Sequence, residues 1–94
     1  MLRGRRELRY LRQKLRTAAG AFAGAGSLSA SEQDEVVSAT RRDLLVAVEA
    51  AVGAGRRIEA TRLLHLQLTA SPAHVCAGVR WDDVLHDIII QVGL

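Results

Sequence analysis

The chain has 94 residues, 49% hydrophobic and 24% charged, with a formal net charge of +3. A chain of this size holds one hydrophobic core rather than two, and its apolar content excludes a disordered polymer. Its only aromatic residues are Tyr10, Phe22 and Trp81 and its only cysteine is Cys76, which argues against an aromatic-walled ligand pocket and an intrachain disulfide framework.

No apolar run approaches the roughly 20 residues that cross a bilayer as a helix. No secretory apolar stretch opens the chain. A soluble, intracellular, cytoplasmic protein without a membrane partner is therefore expected. The basic residues are twelve arginines and one lysine. A GC-rich bacterial or phage genome would produce the same bias, so their distribution is more informative than their number. Residues 1–16 hold Arg3, Arg5, Arg6, Arg9, Arg12, Lys14 and Arg16 against Glu7, a formal +6. Residues 17–94 hold six arginines against nine acids, a formal −3. The pattern is a basic head on a mildly acidic body.

In chain order, residues 2–19 read as a helix. Leu8, Leu11 and Leu15 recur at helical spacing among good helix formers. The stripe is narrow and needs a partner. Residues 20–30, rich in Gly, Ala and Ser, read as a flexible connector. The expected organisation is a basic helical arm over 1–19, the connector over 20–30 and a helical body over 31–94.

Residues 32–52 read as a helix capped by Ser31, with Asp34 three residues on and Gly53 and Gly55 ending it. Val37, Leu44, Val48 and Val52 form its apolar stripe. Residues 56–69 read as a helix that is apolar around most of its circumference, which predicts the central, most buried element. A competing reading takes the alternation Leu64–Thr69 as a half-buried strand, paired with Val75–Val79. Ser71-Pro72 reads as a helix start, giving a short helix over 72–78. Asp82 then caps a last helix over about 83–92, in which Ile88, Ile89 and Ile90 exceed what one helix face needs.

The arginine head can track a phosphate backbone, can pair with acidic protein surface, or can act as an amphipathic targeting helix. Residues 57–92 have the proportions of a helix-turn-helix, but the second helix opens Trp-Asp-Asp, and carboxylates at that place repel phosphate. His74, Cys76 and His86 with Asp82 or Asp83 form the only metal-like set, and their spacing matches no zinc module. Asp83, His86 and Asp87 share a helical face, yet lack a nucleophile and a pocket. No glycine-rich phosphate loop, serine elbow or paired carboxylate site is present. No catalytic residue, metal site or cofactor is expected, and an enzyme is not expected.

Gly55-Arg-Arg-Ile-Glu-Ala-Thr-Arg-Leu-Leu64 resembles a helix-opening Gly-Arg-Lys-Ile-Glu-Ala stretch in the C-terminal domain of the ribosomal large-subunit stalk protein. The likeness covers about ten residues. The glycine-rich, lysine-bearing stretch that follows in that family is replaced here by Ser71-Pro-Ala-His-Val-Cys76, and no property is carried over.

The expected fold is all-α, a three- to four-helix bundle with a basic helical arm. The alternative is an α+β fold with a hairpin over 62–80. Two functions compete. The first is a small nucleic-acid-binding accessory protein, with DNA or RNA contacted by Arg3, Arg5, Arg6, Arg9, Arg12, Lys14, Arg16, Arg41 and Arg42. The second is a structural or adaptor subunit, joined to a protein partner or to its own copies through Leu8, Leu11, Leu15, Ile88, Ile89, Ile90, Val92 and Leu94.

Overall fold

The computed structural model describes residues 3–70 and 74–94. Helix α1 (Arg5–Ala23) leads to a single 3₁₀ turn (Ala25–Ser27). Helices α2 (Ala30–Gly53) and α3 (Arg57–Ala70) follow. Strands β1 (Val75–Cys76) and β2 (Val79–Arg80) then lead into α4 (Trp81–Val92).

In α1, Leu11, Leu15, Ala18 and Phe22 are buried. Their spacing of i, i+4, i+7 and i+11 puts them on one stripe. The helix runs past Ala19, where the sequence reading ended it, and passes through Gly20. A mid-helix glycine costs about 1 kcal/mol relative to alanine. Burying Phe22 returns roughly 1.5–3 kcal/mol and carries the helix onward to Ala23.

The N-cap of α2 is Ser29 rather than Ser31. Its hydroxyl accepts from the Glu32 backbone N–H at 3.2 Å, and the Glu32 carboxylate accepts from the Ser29 N–H at 3.0 Å. This reciprocal box needs a glutamate three residues after the serine, which Ser29 has and Ser31, followed by Asp34, does not. The helix closes with Gly55 in the left-handed region at φ 84. The N–H groups of Gly55 and Arg56 donate to Val52 O at 3.0 Å and Ala51 O at 2.9 Å, satisfying the last carbonyls.

Two expectations about the second half are corrected. Residues 64–69 are helical, as the main reading of 56–69 expects, but the all-α fold gives way to a mostly helical one that includes a small antiparallel hairpin. The alternative hairpin over 62–80 does not form either. Among the described residues, strand pairing is confined to Val75 with Arg80 and Cys76 with Val79. The helix expected over 72–78 is replaced by this hairpin from Val75 onward; Pro72 and Ala73 lie outside the described residues.

The turn explains the difference. Ala77 (φ 52) and Gly78 (φ 74) both have positive φ, as a two-residue type I′ hairpin turn requires. Ala77 meets the usual steric penalty of that region, and Gln33 of α2 holds it there. The Gln33 amide oxygen accepts from the Ala77 N–H at 2.9 Å, while its amide nitrogen donates to Leu28 O at 3.2 Å. The Cys76 thiol donates to the Gln33 carbonyl at 3.4 Å. The Trp81 N–H donates to His74 O at 2.9 Å and leads the chain into α4.

The core centres on α2, which buries Val37, Thr40, Leu44, Ala47, Val48 and Ala51. The other helices add Leu11, Leu15, Phe22, Ala60, Leu64, Trp81, Val84, Leu85 and Ile88, and the hairpin adds Cys76. The Trp81 and Phe22 rings meet at 5.3 Å between centroids and 58° between planes, an edge-biased pairing. The expectation that α3 is the most buried helix is also corrected. Ala60 and Leu64 are buried, but Ile58 and Leu66 are 65% and 61% exposed. Its apolar residues do surround the helix, and only one side of it meets the core.

Candidate functional site

From Arg3 onward, the arginine head is packed as part of the folded body. Gly4 is buried at the start of α1 with φ 82. The Arg56 guanidinium donates through Nε to Arg3 O at 2.6 Å and through Nη1 to Glu59 at 2.6 Å. This one side chain ties the start of α1 to the start of α3. The Arg56 guanidinium also holds the Glu59 carboxyl below its usual range.

On α1, the exposed residues Arg5, Arg9, Arg12 and Arg16 recur at i, i+4, i+7 and i+11. That spacing gathers them within about a sixth of the helix circumference, roughly a third of a turn from the buried stripe. Among the described residues, none of the four makes an ion pair or hydrogen bond through its side chain. Arg3 and Arg6 are exposed nearby in sequence. Lys14 is turned away from the row: its Nζ lies 5.4 Å from the Tyr10 ring centroid, and it lines a hollow against Val36, Thr40 and Asp43 of α2.

Arg41 and Arg42 do not join this row as free charges. Arg41 Nη1 meets Asp87 of α4 at 2.6 Å, and Arg42 Nε lies 3.5 Å from Asp43. The sequence-derived nucleic-acid set therefore divides into an unpaired row on α1 and two arginines engaged with carboxylates of the same chain.

The sequence-derived protein-interface set divides more sharply. Leu11, Leu15 and Ile88 are buried in the chain's own core. Leu8, Ile89, Val92 and Leu94 are half-buried against that core. Only Ile90, 77% exposed, presents most of its surface to solvent.

A second apolar surface was not expected from the sequence. On α3, Ile58, Arg62, His65, Leu66 and Thr69 are exposed and Thr61 is half-buried. Their spacing of i, i+3, i+4, i+7, i+8 and i+11 defines one outward face. Leu66 walls a shallow hollow with Thr61, Arg62, His65 and Thr69, and Ile58 walls a neighbouring one with Arg57, Arg62 and Leu94. The signal in the sequence was the apolar excess of this helix, which resembles the pattern of a fully buried one.

The other candidate polar groups stand apart from one another among the described residues. His74 precedes β1, Cys76 is buried, and His86 is exposed on α4. Among the described residues, no group of three or more His, Cys, Asp or Glu side chains is placed to hold a metal ion. Burial, with a smaller contribution from Asp34, pushes the Cys76 thiol above its usual range and keeps it protonated. Asp87 of the Asp83–His86–Asp87 face is taken by Arg41.

Comparison with known proteins finds no matching family model, no matching curated protein and no matching solved structure. No helix among the described residues is long and apolar enough to cross a membrane.

Proposed function

We propose that this domain is a non-catalytic protein-contact module, a structural or adaptor subunit. The observation that carries the reading is the outward face of α3, where Ile58 and Leu66 stand exposed on a helix whose other side is packed in the core. Single exposed apolar residues are ordinary on a protein surface. Two of them share one helical face with the methyl-bearing Thr61 and Thr69, with Arg62 between them and lining the hollow beside each. An exposed arginine set among apolar side chains fits the composition of protein interfaces, where Arg is enriched. Ile90 adds a further exposed apolar side chain on α4.

The test is the size of the tagged protein in extracts of the cells that make it. The wild-type chain is expected to run in a discrete species larger than its own 10.2 kDa. Ile58→Glu with Leu66→Glu is expected to return it to monomer size while the purified variant keeps its helical spectrum. A wild-type chain that runs as a monomer in the extract overturns the reading.

Nucleic-acid binding is the second reading, and the unpaired arginine row on α1 is what favours it. Against it stand the engagement of Arg41 and Arg42 with carboxylates of the same chain and the formal −3 of residues 17–94.

A further inference from the structure

We propose that the row Arg5–Arg9–Arg12–Arg16 is the seat of an acidic α-helix of a partner protein. The inference rests on the protein-contact reading and names a partner for a surface other than the α3 face.

Geometry supports it first. The four residues repeat at i, i+4, i+7 and i+11, so they advance along α1 by about one residue per turn over about 16 Å. A second helix lying alongside α1 repeats with the same pitch. Carboxylates at the same spacing on that helix meet one guanidinium per turn. Arginine suits the task because its planar fork donates two parallel hydrogen bonds to a carboxylate.

Charge supports it second. All four side chains are exposed and make no ion pair among the described residues. Arg41, Arg56 and Arg80, by contrast, each lie within 4 Å of a carboxylate of the same chain. Arg3, Arg6, Arg57 and Arg62 likewise make no ion pair among the described residues, so what sets the row apart is its regular register along one flank of α1.

Rigidity supports it third. Leu11 and Leu15, facing the core from between the arginines in sequence, are 0% and 1% exposed. Arg56 fixes the start of the helix through Arg3 O. The row is presented in one register, which favours a partner of fixed shape over a flexible polyanion.

A nucleic-acid duplex fits less well. The helix is packed lengthwise against the body, so it offers a flank rather than a free cylinder for the major groove. The row is only about five base pairs long at a rise of 3.4 Å.

The test uses the full chain and two stapled helical peptides of one composition, one with glutamates at i, i+4, i+7 and i+11 and one with them spread around the helix. A duplex DNA and a single-stranded RNA oligonucleotide are measured beside them by fluorescence anisotropy. The matched peptide is expected to bind about ten-fold tighter than the dispersed one. Arg9→Gln with Arg12→Gln is expected to abolish that preference, and Leu66→Glu to leave it intact. Both variants are checked for an unchanged helical spectrum. Equal binding of the two peptides overturns the inference, and does so even if the α3 face proves to be an interface. Tighter binding of DNA or RNA than of the matched peptide, with a log–log salt slope of about 3–4 for four arginines on duplex DNA, also overturns it, in favour of a nucleic-acid partner.

Discussion

Gly4 and Arg56 are packed so closely that a Cβ on Gly4 would lie 2.6 Å from Arg56 Cγ and 3.1 Å from the Ala54 carbonyl oxygen. Gly4 also sits at φ 82, where a side chain is strained whatever the space. This contact sets where the basic helix begins and how it is held against the loop between α2 and α3. Gly4→Ala is expected to lower stability by about 1–3 kcal/mol and to speed amide exchange over the first turn of α1. Urea unfolding followed by Trp81 fluorescence measures the first effect, because Trp81 is fully buried against Phe22. Unchanged stability would mean that the start of α1 does not depend on this packing.

The hairpin depends on a distant residue. Gln33 accepts the Ala77 N–H across a sequence separation of 44 residues. Gln33→Ala leaves that N–H without its partner and is expected to cost about 1–3 kcal/mol. Ala77→Gly acts in the opposite direction. It relieves the positive φ at Ala77 and is expected to stabilise by about 0.5–1 kcal/mol, the left-handed strain removed less the greater freedom of the unfolded chain. Equilibrium unfolding of both variants checks the pair of signs.

Acid should loosen two helix starts. Hydrogen bonding to the Ser29 backbone and hydroxyl lowers the Glu32 carboxyl, and Arg56 lowers that of Glu59. Both carboxyls bind protons less readily folded than unfolded. Their contribution is therefore full above the ordinary value of 4.5 and is lost as the pH falls through the lowered folded values. Glu32→Gln and Glu59→Gln are expected to flatten the fall of stability across that acid window. A fall as steep in both variants as in the wild type would assign acid sensitivity to other groups.

Cys76 is 0% exposed, and burial raises its thiol. Alkylation by iodoacetamide at neutral pH is expected to be slow in the folded protein and to reach the rate of an unfolded thiol in urea. Gln33→Ala should quicken it, since it removes the side-chain amide that holds Ala77 and with it the hairpin that shields Cys76. Rapid labelling of the folded wild type would show that the hairpin opens readily.

The helices were legible because their apolar spacing is local. Leu11 and Leu15 mark α1, and Leu44 and Val48 mark α2, whatever lies elsewhere in the chain. The cap was misplaced by two residues because Ser29 and Ser31 compete, and only the partner three positions on decides between them. The hairpin was not legible where it forms. Ala77-Gly78 is a weak turn signal by composition, and the group that stabilises it comes from α2. The exposed face of α3 was hidden for a different reason: an apolar residue that meets solvent and one that meets the core look alike in sequence. Ile88 and Ile90 make the same point within one run, one being 2% exposed and the other 77%. The composition of the arginine row was legible, but its freedom from ion pairs required knowing where the carboxylates of α2 and α4 lie.

The central claim, a protein-contact module working through the outward face of α3, is tested most directly by site-specific photo-crosslinking in the cells that make the protein. A photoreactive phenylalanine replaces Leu66 in one variant and Glu49, exposed on α2, in another. The expected result is a discrete protein adduct from position 66, identified by mass spectrometry, that is absent from position 49 and is lost when Ile58→Glu is added. No discrete adduct from position 66, or the same adducts from both positions, would contradict the claim.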